Sequence, residues 1–268
     1  MPAQLRHPTE RTSTLMEAAA VTTLADQLRA GLDASAVPGR AEGEKRYLKS
    51  DLDHVGVPVP AMRRLVKTFT REHPDLVRAD VIRLAEELWS RPVHEHRSVA
   101  LLVLDVHVHL LVPDDMTLLE RLLRQCGTWA HVDLLAPTVA GRLLLAHPEV
   151  EPDVRRWAAD EEQWVRRGGL LSFLPGLRQQ ADFPRWFPVF GEVADPLLTD
   201  DRFFVRKAIG WMLREGTKHH PQPVTRWLSD RLDRVSGLTL REAVRRLPES
   251  DRTPLLATHA ALHPRVRK

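Results

Sequence analysis

The chain has 268 residues, 43% apolar and 28% charged, with a formal net charge of +3 and a sequence pI near 9.3. That is the balance of an ordinary soluble protein, long enough to bury a sizeable core as one large domain or two small ones. Its single cysteine, Cys126, excludes an intramolecular disulfide and fits a reducing cytosol. Arg greatly outnumbers Lys, which suits phosphate recognition but also follows from GC-rich coding, so the placement of charge matters more than its total.

In chain order, the start MPAQLRHPTERTST has no apolar core of the kind a secretory signal needs, and residues 1–14 are expected to be flexible. Thr14-Leu15-Met16-Glu17 reads as a capping box opening the first helix. Residues 34–44, ASAVPGRAEGE, read as the one longer loop. The segment VPAMRRLVKTFTREHP then places Arg63, Lys67 and Arg71 on a cationic rail opposite Met62, Leu65, Val66 and Phe69, with Tyr47 just upstream. The longest apolar run, residues 98–112, is shorter than the ~20 residues needed to cross a bilayer and predicts a buried helix. Apolar residues recur at helical spacing throughout, punctuated by Pro and Gly, with no alternating strand pattern. The expectation is therefore an all-α chain of about a dozen helices. Paired helices at a spacing of ~40 residues suggest a HEAT-like α-solenoid over residues 15–262, with a flexible tail at 263–268. No coiled-coil heptads argue for a dimer, so a monomer is expected.

Three stretches carry possible chemistry. In TWAHVDLLAPTVAGRLL (residues 128–144), Thr128 suits an N-cap, and Trp129 and Asp133 share a helical face at i, i+4. In EEQWVRRGGLLSFL, Trp164 and Arg167 can stack on one face, while Gly168 and Gly169 serve either close helix packing or the approach of a ligand. In DDRFFVRKAIGWMLREGTKHHP, Asp200 or Asp201 can cap a helix that Pro221 stops. Lys207, Trp211, Arg214 and Lys218 stand at i, i+4, i+7 and i+11, opposite Phe204, Ala208, Ile209 and Met212. Taken singly, each is a packed aromatic or a solvated charged face. The histidines of His94-Glu95-His96 and His107-Val108-His109 fall on different sides of a helix, and no HExxH, CxxC, Gly-rich phosphate loop or GxSxG is present. No metal or cofactor is expected.

Five segments in order, RYLKSDLDHVGVPVPAMRRLVKTF, TWAHVDLLAPTVAGRLLLAHPE, WVRRGGLLSFL, DDRFFVRKAIGWMLRE and LTLREAVRRL, resemble the AlkD-type DNA alkylation-repair glycosylases. The resemblance runs from about Tyr47 to Leu247. It implies a HEAT-like solenoid whose concave face binds double-stranded DNA containing alkylated bases. Trp129 and Asp133 fall on the family's Trp-x-x-x-Asp element and Trp211 on its KAIGW motif, which implies that these three are catalytic. Arg167 falls on the W-x-x-R element; with Lys207, Arg214, Lys218, Tyr47 and Arg63 it is expected to contact DNA. The implied reaction hydrolyses the N-glycosidic bond of a cationic N3- or N7-alkylated purine without extruding the base, in a cytoplasmic, nucleoid-associated protein. Thr128, Ala130, Gly168 and Gly169 stand where the family often has larger or acidic residues, so extra room for bulky adducts is a further expectation. A non-catalytic HEAT-repeat scaffold that binds DNA or another acidic partner is the competing reading.

Overall fold

A computed structural model describes residues 16–264. Among them lie helices α1 (Ala18–Asp33), α2 (Arg40–Leu48), α3 (Val59–Glu72), α4 (Arg78–Trp89), α5 (His94–Val106), α6 (Met116–Arg124), α7 (Trp129–Leu135) and α8 (Gly141–Ala146). They are followed by α9 (Glu151–Ala158), α10 (Gln163–Leu171), α11 (Leu174–Arg178), α12 (Phe183–Ala194), α13 (Phe203–Gly216), α14 (Pro221–Ser229), α15 (Gly237–Ala243) and α16 (Glu249–Leu262). The described residues hold no β-strand, only an isolated bridge between Asp53 and Val93. The expected all-α helical-repeat class is therefore the observed one. No helix among the described residues is long and apolar enough to cross a membrane.

The repeat shows in the side chains that tie successive units together. Arg78 donates to Asp115, Trp89 to Gln125, Trp157 to Glu120 and Arg178 to Glu215, each pair separated by 36 or 37 residues. Arg142–Asp105 and Arg155–Glu192 repeat the same interval. This period is slightly shorter than the ~40 residues read from the pattern of prolines. Each unit buries an apolar stripe on the next, and α3, α5, α7, α10, α13 and α15 pack one against another as a continuous row. Leu28, Leu84, Leu101, Leu135, Trp157, Phe190 and Ile209 lie in the shared core at 0% exposure, each worth about 1.5–3 kcal/mol of burial.

Several local expectations change. Residues 34–44 are only partly loop: Gly39 adopts φ 76, and the helix formers that follow it wind into α2. At the first helix the N-cap is Glu17, so Glu17 does not occupy the third helical position a capping box requires, and Thr14 lies outside the described residues. So do residues 1–13, 15 and 265–268, which takes in all of the expected flexible N-terminus and most of the expected tail. Neither Asp200 nor Asp201 is the N-cap residue of α13; Asp200 instead accepts from the amide and guanidinium of Arg202, which occupies that position.

Gly168 and Gly169 let α10 lie tightly on its neighbours. A Cβ on Gly169 would stand 2.3 Å from the Ala158 amide nitrogen, and one on Gly168 would stand 2.7 Å from the Leu123 side chain. Both positions are filled by protein, so these glycines open no room for an adduct, contrary to expectation.

Candidate active site

Thr128 caps α7 as its sequence suggests, its hydroxyl accepting from the Ala130 amide at 2.9 Å. Trp129 and Asp133 follow on one face. Pro137, one turn on, has no N–H to offer the Asp133 carbonyl, and residues Ala136–Ala140 widen into a π turn before α8 resumes. The long helix read over residues 128–144 is thus interrupted directly beside the carboxylate.

Asp133 is the meeting point of three adjoining hollows. The first, about 500 Å³, is lined by Tyr47, Trp129, Asp133, Arg167, Trp211 and neighbouring cations. A second, about 300 Å³ and more apolar, shares Tyr47, Trp129 and Asp133 and adds Met62, Leu102 and Leu134. A third, about 500 Å³, shares Asp133 and Trp211 and is bounded by Arg142 and Arg178. The three side chains expected to be catalytic therefore line one open depression, brought there by α7 and α13 from residues 78 or more positions apart in the chain. Tyr47 stands at the mouth, 73% exposed and edge-on to Trp129 at 5.9 Å.

Arg167 is committed inside the wall. It is 3% exposed, pairs with both Asp133 oxygens at 2.8 and 2.9 Å, and donates its remaining terminal nitrogen to the Phe204 carbonyl at 2.6 Å. A phosphate contact by Arg167 would require this pair to break; the geometry gives it the task of holding Asp133. Burial pushes the Asp133 carboxyl above its ordinary pKa, and Arg167 pulls it partly back.

The stripe on α13 is only partly in the cleft. Lys207, Trp211 and Arg214 line it, but Lys218 does not; its ammonium lies 2.6 Å from the buried Glu215, which also takes Arg178 and Arg246. Phe204 belongs to the cleft rather than to the core face assigned from its spacing, because it stands seven residues, two turns, before Trp211. Its ring lies 4.9 Å from Trp164 and 5.8 Å from the Arg167 guanidinium, so each of the two residues expected to stack packs against Phe204. Arg63 borders the second hollow, about half exposed and 3.9 Å from Asp105. Glu242 and Arg245, on the LTLREAVRRL segment, also line the cleft, and neither was singled out from sequence. Glu242 accepts from Lys207 and is ion-paired with Arg214, so two expected phosphate ligands already have a counter-ion.

The histidines form a packing unit. His54, His94 and His131 stack with ring centroids 4.7 and 4.6 Å apart, and burial lowers His94 to a pKa of about 4 and His131 to about 3. Glu44, His54 and Glu95 bring possible ligand atoms within 4.8 Å of one another, but Glu95 already accepts from the amides of Val55, Gly56 and Val57. Cys126 is buried, and burial raises its thiol pKa, as for a core residue.

Residues 28–247 match a family model described as DNA alkylation repair enzyme. The chain belongs to that family. The match begins earlier than the resemblance read from sequence and takes in part of α1. Among solved structures, the fold resembles a "predicted DNA alkylation repair enzyme" from Enterococcus faecalis, at 22% identity and a TM-score of 0.69, over 80% of this chain and 98% of that one. It also resembles AlkD2 from Streptococcus mutans, at 12% identity and a TM-score of 0.57, over 90% and 97%. At these identities the likeness concerns the fold. No curated protein matches the sequence.

Proposed function

We propose that this DNA alkylation repair family member is a monofunctional DNA glycosylase that hydrolyses the N-glycosidic bond of N3- and N7-alkylated purines in duplex DNA. The carrying observation is Asp133: a carboxylate held at both oxygens by Arg167, yet with 19% of its side chain open to a cleft shared with Trp129 and Trp211. An alkylated purine is already cationic and leaves as a neutral base. What needs stabilising is positive charge on the deoxyribose as the bond to its anomeric carbon breaks.

Aromatic faces stabilise such a cation by roughly 0.5–2 kcal/mol per contact. A fixed carboxylate adds electrostatic stabilisation and orients the water whose oxygen bonds to the sugar, the water's proton passing to Asp133 or to solvent. Fixing Asp133 through Arg167 keeps the charge aimed without reorganisation. Tyr47, Arg63, Lys207, Arg214 and Arg245 on the cleft rim suit the DNA backbone, giving affinity without sequence readout. The lesion remains in the helix while the enzyme grips backbone and sugar. A lesion that does not enter the protein meets no pocket wall that limits its size, which leaves bulky adducts acceptable. No cofactor is required, and the protein acts as a monomer in the cytoplasm, on the nucleoid.

The test is release of free base from a duplex carrying one 7-methylguanine, followed against the spontaneous rate. Enzyme-dependent release supports the reading. Salt-sensitive binding without release, for this lesion and for a bulky N3-adenine adduct alike, points instead to a non-catalytic DNA-binding scaffold.

A further inference from the structure

Glu242 is an unexpected charge in a cleft built for a polyanion. It sits on α15 where α13 and α15 touch most closely: a Cβ on Gly210 would stand 2.6 Å from the Glu242 Cβ and 2.8 Å from the Thr239 carbonyl. The carboxylate is thus tied to a packed backbone, and its side chain is 7% exposed. Lys207 and Arg214 reach it from α13 on long, flexible stems and remain 39% and 16% exposed on the cleft side. Arg245, beside them in the lining, forms no ion pair with any described residue.

We propose that Glu242 is a specificity-determining residue that weakens the grip on undamaged DNA. It holds Lys207 and Arg214 in ion pairs with which a phosphate must compete. Resting on the glycosylase reading, this leaves Arg245 as the ready phosphate contact, while the two α13 cations are released only where a well-seated backbone compensates for the lost pairs. The cost of breaking these pairs is met only where the backbone is seated against both cations, so binding that lacks such seating is suppressed most.

The test is a salt series of binding to an undamaged duplex by fluorescence anisotropy. Each phosphate contact contributes about 0.9 to the slope of log K against log salt. Glu242→Gln, nearly isosteric and still able to accept a hydrogen bond, is expected to bind more tightly than wild type at low salt. Its slope should be steeper by about 1–2, so that its advantage shrinks by about four- to sixteenfold between 50 and 200 mM salt. Adding Lys207→Gln to that variant should take about 0.9 back, which a merely structural role of Glu242 would not do. Should the Gln variant melt far below wild type, Glu242→Asp, which keeps the charge and withdraws it by one methylene, is expected to give an intermediate slope. Binding that is unchanged or weaker at every salt concentration, with an unchanged slope, overturns the proposal alone. A wild type with no salt-dependent affinity for DNA overturns it together with the glycosylase reading.

Discussion

Replacing Arg167 by methionine keeps the aliphatic stem and removes the guanidinium. The Arg167 side chain is 4% exposed and that of Asp133 19%, so the variant strands a largely buried carboxylate. Removing one partner of such a pair costs about 3–5 kcal/mol, and the low end applies because Asp133 keeps some contact with solvent. The Phe204 carbonyl loses its donor as well, adding about 1 kcal/mol. At roughly 2–4 °C per kcal/mol for a chain of this size, calorimetry should show a Tm lowered by about 8–16 °C. The double variant Arg167→Met/Asp133→Asn should recover part of the loss, since neither charge is then left alone. A single variant melting within about 2 °C of wild type would show that the pair does not hold the wall together as the geometry requires.

The same pair shapes the pH dependence. In the proposed mechanism turnover needs ionised Asp133, whose pKa is raised by burial, so the base-release rate should fall with acidification through a pKa above the ordinary aspartate value of about 3.9. For stability the sign is opposite: the folded state binds this proton more readily than the unfolded chain, so the contribution of Asp133 is present at low pH and lost as pH rises through its folded pKa. An acid limb at or below the ordinary value would contradict the burial. In the packing of α9 and α10, Gly169→Ala should lower stability by roughly 1–3 kcal/mol despite better helix propensity, because the methyl meets the Ala158 backbone; an unchanged midpoint in urea would refute that contact.

The parts of the site readable in the sequence are those fixed within one or two helical turns. Thr128, Trp129 and Asp133 follow from capping and i, i+4 geometry, and Trp211 with Lys207 and Arg214 from the register of one helix. What escaped depends on contacts about one repeat away. Arg167 meets Asp133 across 34 residues and Lys207 meets Glu242 across 35, and no local pattern marks a partner at that distance. Lys218 has the right helical spacing but turns to Glu215 past the end of the cleft, because that buried carboxylate also gathers Arg178 and Arg246. The loop expected over residues 34–44 is too long because Gly39 and Gly43 look alike in sequence. Only Gly39 takes a positive φ, while Gly43 lies within α2.

The central claim is that Asp133 acts in bond breaking rather than in DNA binding, and one paired measurement addresses it. Wild type and Asp133→Asn, both confirmed folded, are assayed on the same 7-methylguanine duplex for single-turnover base release and for binding. The account predicts that the variant loses release, falling to the spontaneous rate, while binding is kept or strengthened because a carboxylate facing phosphates has been neutralised. Release at the wild-type rate by the variant would contradict it.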